Sequence, residues 1–158
     1  MSLGNEDVFD VFWEGPKTLD ELSSNGVHEN FVIYMICGTH GLYGRNVPLY
    51  IGKTDRGIAQ RISEHHWLEY EPDPVSVYVA AIGAFTDWAT TEKTEEYPPP
   101  DIDTIKAVEQ LLIYAHQPVY NQRSKLSIND KAAKIRIFNT GRRATLFPEL
   151  SGLYWAEL

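Results

Sequence analysis

The stretch from Phe31 to His66 constrains the fold of this chain more than any other part of the sequence. Two short apolar runs, Phe31 to Cys37 and Pro48 to Ile51, flank a glycine-rich segment over residues 38–47. β-Branched and aromatic residues favour strands, whereas glycine and asparagine favour turns. The pattern therefore predicts an antiparallel β-hairpin with a long loop.

A helical pattern follows the hairpin directly and ends before Pro72. Four residues recur at helical spacing and are predicted to share one face of this helix: Ile58, Ile62, His65 and Glu69. Arg61 and His65 are four residues apart, so they project from the same side of this helix. A hairpin followed by a helix that carries a cation is an arrangement suited to holding a phosphodiester.

Two further elements are clear in the central part of the chain. Val75 to Ala81 is a continuous apolar run and predicts a buried third strand. Asp101 or Asp103 is placed to cap a second helix, which runs to about His116 and is stopped by Pro118.

The ends of the chain are expected to form extensions of this core. Residues 5–30 contain apolar side chains at helical spacing and predict a flap that packs on the core, and residues 132–138 favour a helix end or a strand. The predicted fold class is α/β (α+β): one domain over residues 1–158, with a small, mainly antiparallel three-stranded sheet flanked by helices. Extensions at 1–30 and 124–158 complete it.

The charge distribution leaves two interpretations open. The chain has 158 residues and a formal charge of −8, which argues against a general nucleic-acid binder. The charge is uneven, however, and one segment is basic apart from Asp130: Arg123, Lys125, Lys131, Lys134, Arg136, Arg142 and Arg143. This segment forms either a basic face that steers a polyanion or an ordinary solvated surface.

Several classes of protein are disfavoured by composition. The longest uncharged apolar stretch, Val75 to Phe85, is shorter than the ~20 residues of a membrane-spanning helix. No basic and then apolar leader opens the chain, so a cytoplasmic location without membrane association is expected. Cys37 is the only cysteine, which excludes an internal disulfide and a Cys-rich zinc site.

Glu109 is the unexpected residue of the second predicted helix. The apolar stripe of this helix consists of Ile105, Val108, Leu112 and Ala115. At 100° per residue, Glu109 lies within about 40° of Ile105 and hence within or beside the stripe. A carboxylate that faces a core costs several kcal/mol unless it is paired, protonated or bound to a metal. Glu109 is therefore either an edge residue that reaches solvent or an arginine, or a metal ligand or general base.

Five pieces of the sequence, in this order over residues 31–123, together resemble the GIY-YIG nucleases: Val32-Ile-Tyr34, Leu49-Tyr-Ile-Gly-Lys53, Arg61 with His65, Glu109, and Pro118-Val-Tyr-Asn121. The chain departs from the family pattern at Val32, which replaces the first glycine. The interval from Gly52 to Arg61 is also about one residue longer than usual, which makes Arg56 a rival for the arginine role.

The resemblance implies a metal-dependent endonuclease that hydrolyses phosphodiester bonds, in DNA rather than RNA, with Mg²⁺ or Mn²⁺ held by Glu109. It implies the catalytic residues Tyr34, Tyr50, Arg61, His65 and Glu109. It implies the substrate-binding residues Gly52, Lys53, Arg56, Asn121 and Arg123, and Asn121 is also expected to tie the end of the second helix to the sheet. A phenol titrates near 10, so Tyr34 can serve as the base only if Arg61, Lys53 or the metal acidifies it.

An alternative function is compatible with the same residues. The acidic net charge favours a catalytically silent module that binds nucleic acid or protein on the same fold. Such a module has no reason to keep a metal site at Glu109, whereas the nuclease requires one. The sequence leaves the oligomeric state open.

Overall fold

The computed structural model describes residues 6–24, 30–54, 57–85 and 97–156, and the strands in these ranges form one curled, mixed sheet of six. The strands are β1 Asp7–Lys17, β2 Ile33–His40, β3 Gly44–Lys53, β4 Ser76–Gly83, β5 Ile135–Gly141 and β6 Glu149–Ser151. Their order across the sheet is β3-β2-β4-β1-β5-β6. Only β1 and β5 pair in parallel, and the other neighbours are antiparallel.

The helices of the described ranges are mostly short. They are α1 Leu19–Ser24, α2 Ile58–Ser63, α3 Ile102–His116 and α4 Gly152–Ala156, with 3₁₀ helices at His66–Tyr70 and Ala132–Lys134. The predicted start and end of α3 are confirmed: Asp101 accepts a hydrogen bond from the backbone N–H of Thr104 at 2.7 Å, and Gln117 leaves the helix with a φ of 48°. None of these helices is both long and apolar enough to cross a membrane.

The prediction of a small three-stranded sheet flanked by helices is wrong. Strands β2, β3 and β4 do form an antiparallel group, but residues 7–17, predicted as a helical flap, form a central strand. Val11 and Trp13 are buried on one face of the sheet and Phe12 is buried on the other. The apolar run at the buried centre of β1, Val11–Trp13, is short, and periodicity does not distinguish a short run buried on both faces from part of a helix. The C-terminal extension supplies β5 and β6.

Two further local predictions are corrected by the structure. The hairpin strands continue well into the predicted loop, so that only residues 41–43 form the turn. The single helix predicted after the hairpin is interrupted, because α2 ends at Ser63 and a separate 3₁₀ helix begins at His66. His65 lies in the break with an extended backbone (φ −86°, ψ 93°). The position of its ring is therefore set by the break and by tertiary contacts rather than by helical spacing.

The sheet carries a core on each face. Alternation along β2 directs Ile33 and Met35 to the face covered by α3, and Tyr34 and Ile36 to the face covered by α2. The two faces meet at β3, the edge strand of the sheet. Groups from α2 and α3 can approach one another around this edge.

The chain that follows α3 runs along the β3 edge. The backbone N–H of Tyr120 donates to the carbonyl of Leu49 at 2.7 Å, and that of Val119 donates to the carbonyl of Pro48 at 3.3 Å. These bonds hold residues 119–121 beside β3, close to both helices.

Candidate active site

A cavity of about 620 Å³ lies at the β3 edge, between α2 and α3. Its lining includes most of the residues that the sequence singled out: Tyr50, Lys53, Arg61, His65, Glu109, Asn121 and Arg123. Tyr34 and Gly52 lie behind this lining, and Arg56 lies outside the described residues. Side chains that are far apart in the sequence thus meet at this cavity: tyrosines from two strands, the guanidinium of Arg61 and the carboxylate of Glu109.

Tyr34 is fully buried and contacts the cavity through His65. Its hydroxyl lies 2.7 Å from His65 Nε2, and its relative exposure is 0%. Gly52 is opposite Tyr34 in the β2–β3 ladder. A Cβ on Gly52 would lie 2.5 Å from the phenol oxygen, so the glycine makes room for this ring. The resemblance implied that Gly52 contacts substrate, whereas in the structure the space beside its Cα is occupied by Tyr34.

The environment favours the neutral forms of both Tyr34 and His65. Burial raises the pKa of Tyr34 strongly, and Tyr50 adds to this effect while Arg61 opposes it. Burial, and then the charge of Arg61, lower the pKa of His65. A role as the base would require a neighbouring cation such as Arg61 to lower the pKa of Tyr34. Arg61 does so, but burial raises this pKa by more. In the neutral imidazole one nitrogen carries the proton, so that when Nε2 donates to Tyr34 the other nitrogen, Nδ1, is a proton acceptor.

Glu109 is half-buried in α3 and faces the cavity rather than open solvent. Burial raises the pKa of its carboxyl group, whereas the charge of Lys53 and a hydrogen bond from the Lys53 backbone lower it. The charges of Arg61 and Lys106 act in the same direction as Lys53. The carboxylate is thus held at the end of β3 among cations and is desolvated in part.

Arg61 reaches the same cavity from α2. Its Nη1 atom lies 3.1 Å from Glu64 Oε2, and the Arg61 side chain is 30% exposed. A solvent-accessible ion pair of this kind contributes only about 0–1 kcal/mol to stability. The guanidinium can therefore exchange Glu64 for an anionic ligand at little energetic cost.

Asn121 completes the edge of β3. Its Oδ1 atom accepts a hydrogen bond from the Ile51 N–H, and its Nδ2 atom donates to the Ile51 carbonyl, both at 2.9 Å. The buried side chain thus pairs with the strand as a backbone would. The expectation that Asn121 ties the end of the second helix to the sheet is confirmed.

Replacing Asn121 by alanine is expected to lower the free energy of unfolding by about 2–5 kcal/mol, because two buried backbone groups of Ile51 lose their partners. Urea denaturation followed by circular dichroism measures the change. Gln122→Ala, in the exposed neighbouring residue, is the matched control and should lie within about 0.5 kcal/mol of wild type. Equal stability of Asn121→Ala and wild type would contradict this role.

Several side chains that line the cavity were given no role from the sequence, among them Lys106, Trp67 and Tyr120. Lys106 stands one turn before Glu109, and this i, i+3 spacing was an available signal. Tyr120 lies inside the Pro118-Val-Tyr-Asn121 motif, but only its neighbours had been given roles. Trp67 carried no signal, because its position depends on the break after α2.

The site suits a hard divalent cation held by one carboxylate. Among the residues that the structure describes, no three His, Cys, Asp or Glu side chains are grouped to enclose a metal. Mg²⁺ does not require such a group, since it keeps several waters and binds through one or two carboxylates together with phosphate oxygens. Glu109 fits this role because it is a partly desolvated carboxylate, directed into a cavity with room for a hydrated ion and a phosphate.

The arrangement as a whole can bind an anion and a cation side by side, with a neutral imidazole next to them. Lys53, Arg61 and Arg123 supply the positive charge, Glu109 supplies the cation ligand, and His65 supplies a group that can accept a proton. Comparison of this chain with family models, with curated proteins and with solved structures finds no match. The similarity to the GIY-YIG nucleases therefore depends on the motif residues and their arrangement alone.

Proposed function

We propose that this protein is a metal-dependent endonuclease that hydrolyses phosphodiester bonds in DNA, with an active site of the GIY-YIG kind. One observation carries the proposal: Tyr50, Arg61, His65 and Glu109 line a single cavity. Residues 50 and 109 lie on different elements and reach the site from strand β3 and helix α3. The stability of the fold gives no evident reason for these four side chains to lie together at one edge of the sheet.

The charges of the cavity suit a phosphodiester. Glu109 would hold Mg²⁺ or Mn²⁺, which when bound stabilises negative charge on the scissile phosphate and on the leaving oxygen. Arg61 offers planar, bidentate donors to the phosphate oxygens. Lys53 and Arg123 add positive charge within the cavity. This local charge favours binding of a polyanion there, although the whole chain carries a net charge of −8.

The attacking water must lose a proton, and we assign this step to the Tyr34–His65 pair. His65 lines the cavity, and in the tautomer whose Nε2–H donates to the Tyr34 oxygen, 2.7 Å away, its Nδ1 accepts the proton. Tyr34 is buried behind the imidazole and therefore acts as the positioning residue of the pair rather than as the first acceptor. Tyr50, whose ring centroid is 4.4 Å from that of His65, packs on the same imidazole and lines the cavity beside it.

The pH dependence of cleavage tests this assignment. Because the pKa of His65 is lowered from its usual 6.5, the imidazole stays neutral to lower pH than a free histidine does. The single-turnover cleavage rate should therefore rise with pH, with a midpoint below 6.5, and reach a plateau by pH 7. His65→Gln should abolish this acidic limb and lower the rate by about 10²-fold. His66→Gln, at the exposed neighbour, is the control; an acidic limb that persists in His65→Gln would contradict the assignment.

Incubation of supercoiled plasmid DNA with the protein tests the proposed function directly. Nicked or linear DNA should form with Mg²⁺ or Mn²⁺ and not with EDTA. The net charge of −8 favours the alternative, a binding module without turnover. Calorimetric titration of Mg²⁺ into wild type and Glu109→Gln separates the two: the nuclease binds the metal through Glu109, whereas the silent module shows no binding that this substitution removes.

A further inference from the structure

Aromatic rings form a row along one wall of the cavity, next to its charged groups. The ring centroids of Tyr50 and Trp67 are 6.4 Å apart, and those of Trp67 and Tyr120 are 4.7 Å apart. Trp67 is only partly buried and Tyr120 is 39% exposed. Neither Trp67 nor Tyr120 has a role in the hydrolysis proposed above. Their accessible ring surface is thus a feature that phosphate binding and proton transfer leave unexplained.

Tyr120 is anchored through its backbone and packs against Trp67. Its backbone N–H donates to the Leu49 carbonyl of β3 at 2.7 Å, and its ring centroid is 4.7 Å from that of Trp67. Interaction with Glu71 raises the pKa of its phenol. A ring held in this way loses little conformational entropy when a ligand packs against it. The tyrosine is therefore pre-organised as a contact surface.

The cavity is larger than a hydrated cation and a phosphate require. Its volume of about 620 Å³ lies within the range of about 300–1,000 Å³ typical of pockets that enclose small organic ligands. Gln110, Gln122 and Ser124 also line it and supply amide and hydroxyl groups. Such groups can donate to and accept from the edge of a nucleobase, while the aromatic side chains offer surface for its face.

Resting on the proposed function, we infer that the nucleotide beside the scissile phosphate binds with its base unstacked and packed against Trp67 and Tyr120. The preferred substrate is accordingly DNA in which this nucleotide is unpaired, such as a single strand or a bulged duplex. In a matched duplex both faces of each base are covered by its neighbours, so the base would first have to be extruded, at a cost of unpairing and unstacking. An unpaired base enters without that cost.

Binding to the Glu109→Gln variant, in the presence of Mg²⁺, tests the inference independently of cleavage. Three fluorescently labelled DNAs serve as probes: a single strand, a matched duplex, and the same duplex with a one-nucleotide bulge. The single strand and the bulged duplex should bind at least about 10-fold more tightly than the matched duplex. Both should quench tryptophan fluorescence. Trp67→Phe should remove most of this quenching, whereas Trp155→Phe, outside the cavity lining, should retain it.

Tyr120 supplies the second test. Tyr120→Ala should weaken binding of the single strand by about 5- to 150-fold, the range found for the loss of one base–aromatic stack. Tyr120→Phe keeps the ring and should restore binding, and Tyr154→Ala, at an exposed tyrosine outside the cavity lining, should have no effect. Circular dichroism confirms that each variant is folded.

The outcomes separate this inference from the proposed function. Tight binding of unpaired DNA that quenches Trp67 fluorescence supports the inference even if wild type cleaves nothing, and in that case the nuclease proposal alone fails. Equal affinity for matched duplex and single strand, or unchanged single-strand affinity in Tyr120→Ala, overturns the inference whether or not the protein cleaves DNA.

Discussion

Substituting glutamine for Glu109 is expected to reduce Mg²⁺-dependent DNA cleavage by at least about 10³-fold. The amide has the shape of the carboxyl group and can still accept the hydrogen bond from the Lys53 backbone. It lacks the negative charge that a hard divalent cation requires from its protein ligand. The cleavage rate under single-turnover conditions, together with Mg²⁺ binding by calorimetry, measures the effect.

The same substitution should leave the unfolding temperature unchanged or raise it. Because burial raises the pKa of Glu109, the ionised carboxylate destabilises the folded state at pH values above the ordinary pKa of glutamate. Glutamine removes that cost, so Glu109→Gln should unfold at the same temperature as wild type or a higher one at pH 7. A loss of activity with no loss of stability distinguishes a functional carboxylate from a structural one. Glu69→Gln, at an exposed position, is the control. Full activity in Glu109→Gln would refute the proposed metal site.

The second large effect is expected at Arg61, where alanine should lower the cleavage rate by about 10³-fold. An arginine that stabilises the transition-state charge of phosphoryl transfer contributes on this scale. Arg61→Lys should recover only part of the rate, because an ammonium group does not reproduce the planar, bidentate donors.

The ion pair between Arg61 and Glu64 provides the control for this prediction. The pair is solvent-accessible, so losing it should change the free energy of unfolding by less than about 1 kcal/mol. Glu64→Gln removes the same ion pair while leaving the guanidinium in place, and cleavage should persist. Cleavage by Arg61→Ala at the wild-type rate would exclude Arg61 from the reaction.

The local elements of the fold could be predicted from the sequence, but the sheet as a whole could not. The capping residue Asp101 and the stop at Pro118 defined α3, since these signals act within a few residues. The pairing of β1 with β5 joins Asp7 to Ile135, and no local pattern encodes a contact across that separation. The apolar run of β1 was misread for a related reason: only its partners on both sides show that it is a strand.

For the site, the residues could be predicted from the sequence, but the placement of their side chains could not. The types and order of Tyr50, Arg61, His65 and Glu109 could be read from the sequence, and the structure gathers them around one cavity. The burial of Tyr34 was not readable, because alternation along β2 defines two faces without saying which is covered by α2. The orientation of His65 was not readable either, since its ring is placed by contacts with Tyr34 and Tyr50 across the break after α2.

The segment after α3 also affects how copies of this protein can associate. Exposed edge strands offer unpaired N–H and C=O groups and are common sites of aggregation. In β3 the carbonyls of Pro48 and Leu49 and both backbone groups of Ile51 are already bonded to residues 119–121. The strand at the opposite margin, β6, is only three residues long. Neither margin therefore offers a long template for joining a second sheet, so crowded or concentrated solutions of the folded chain should resist fibril growth by edge-to-edge stacking.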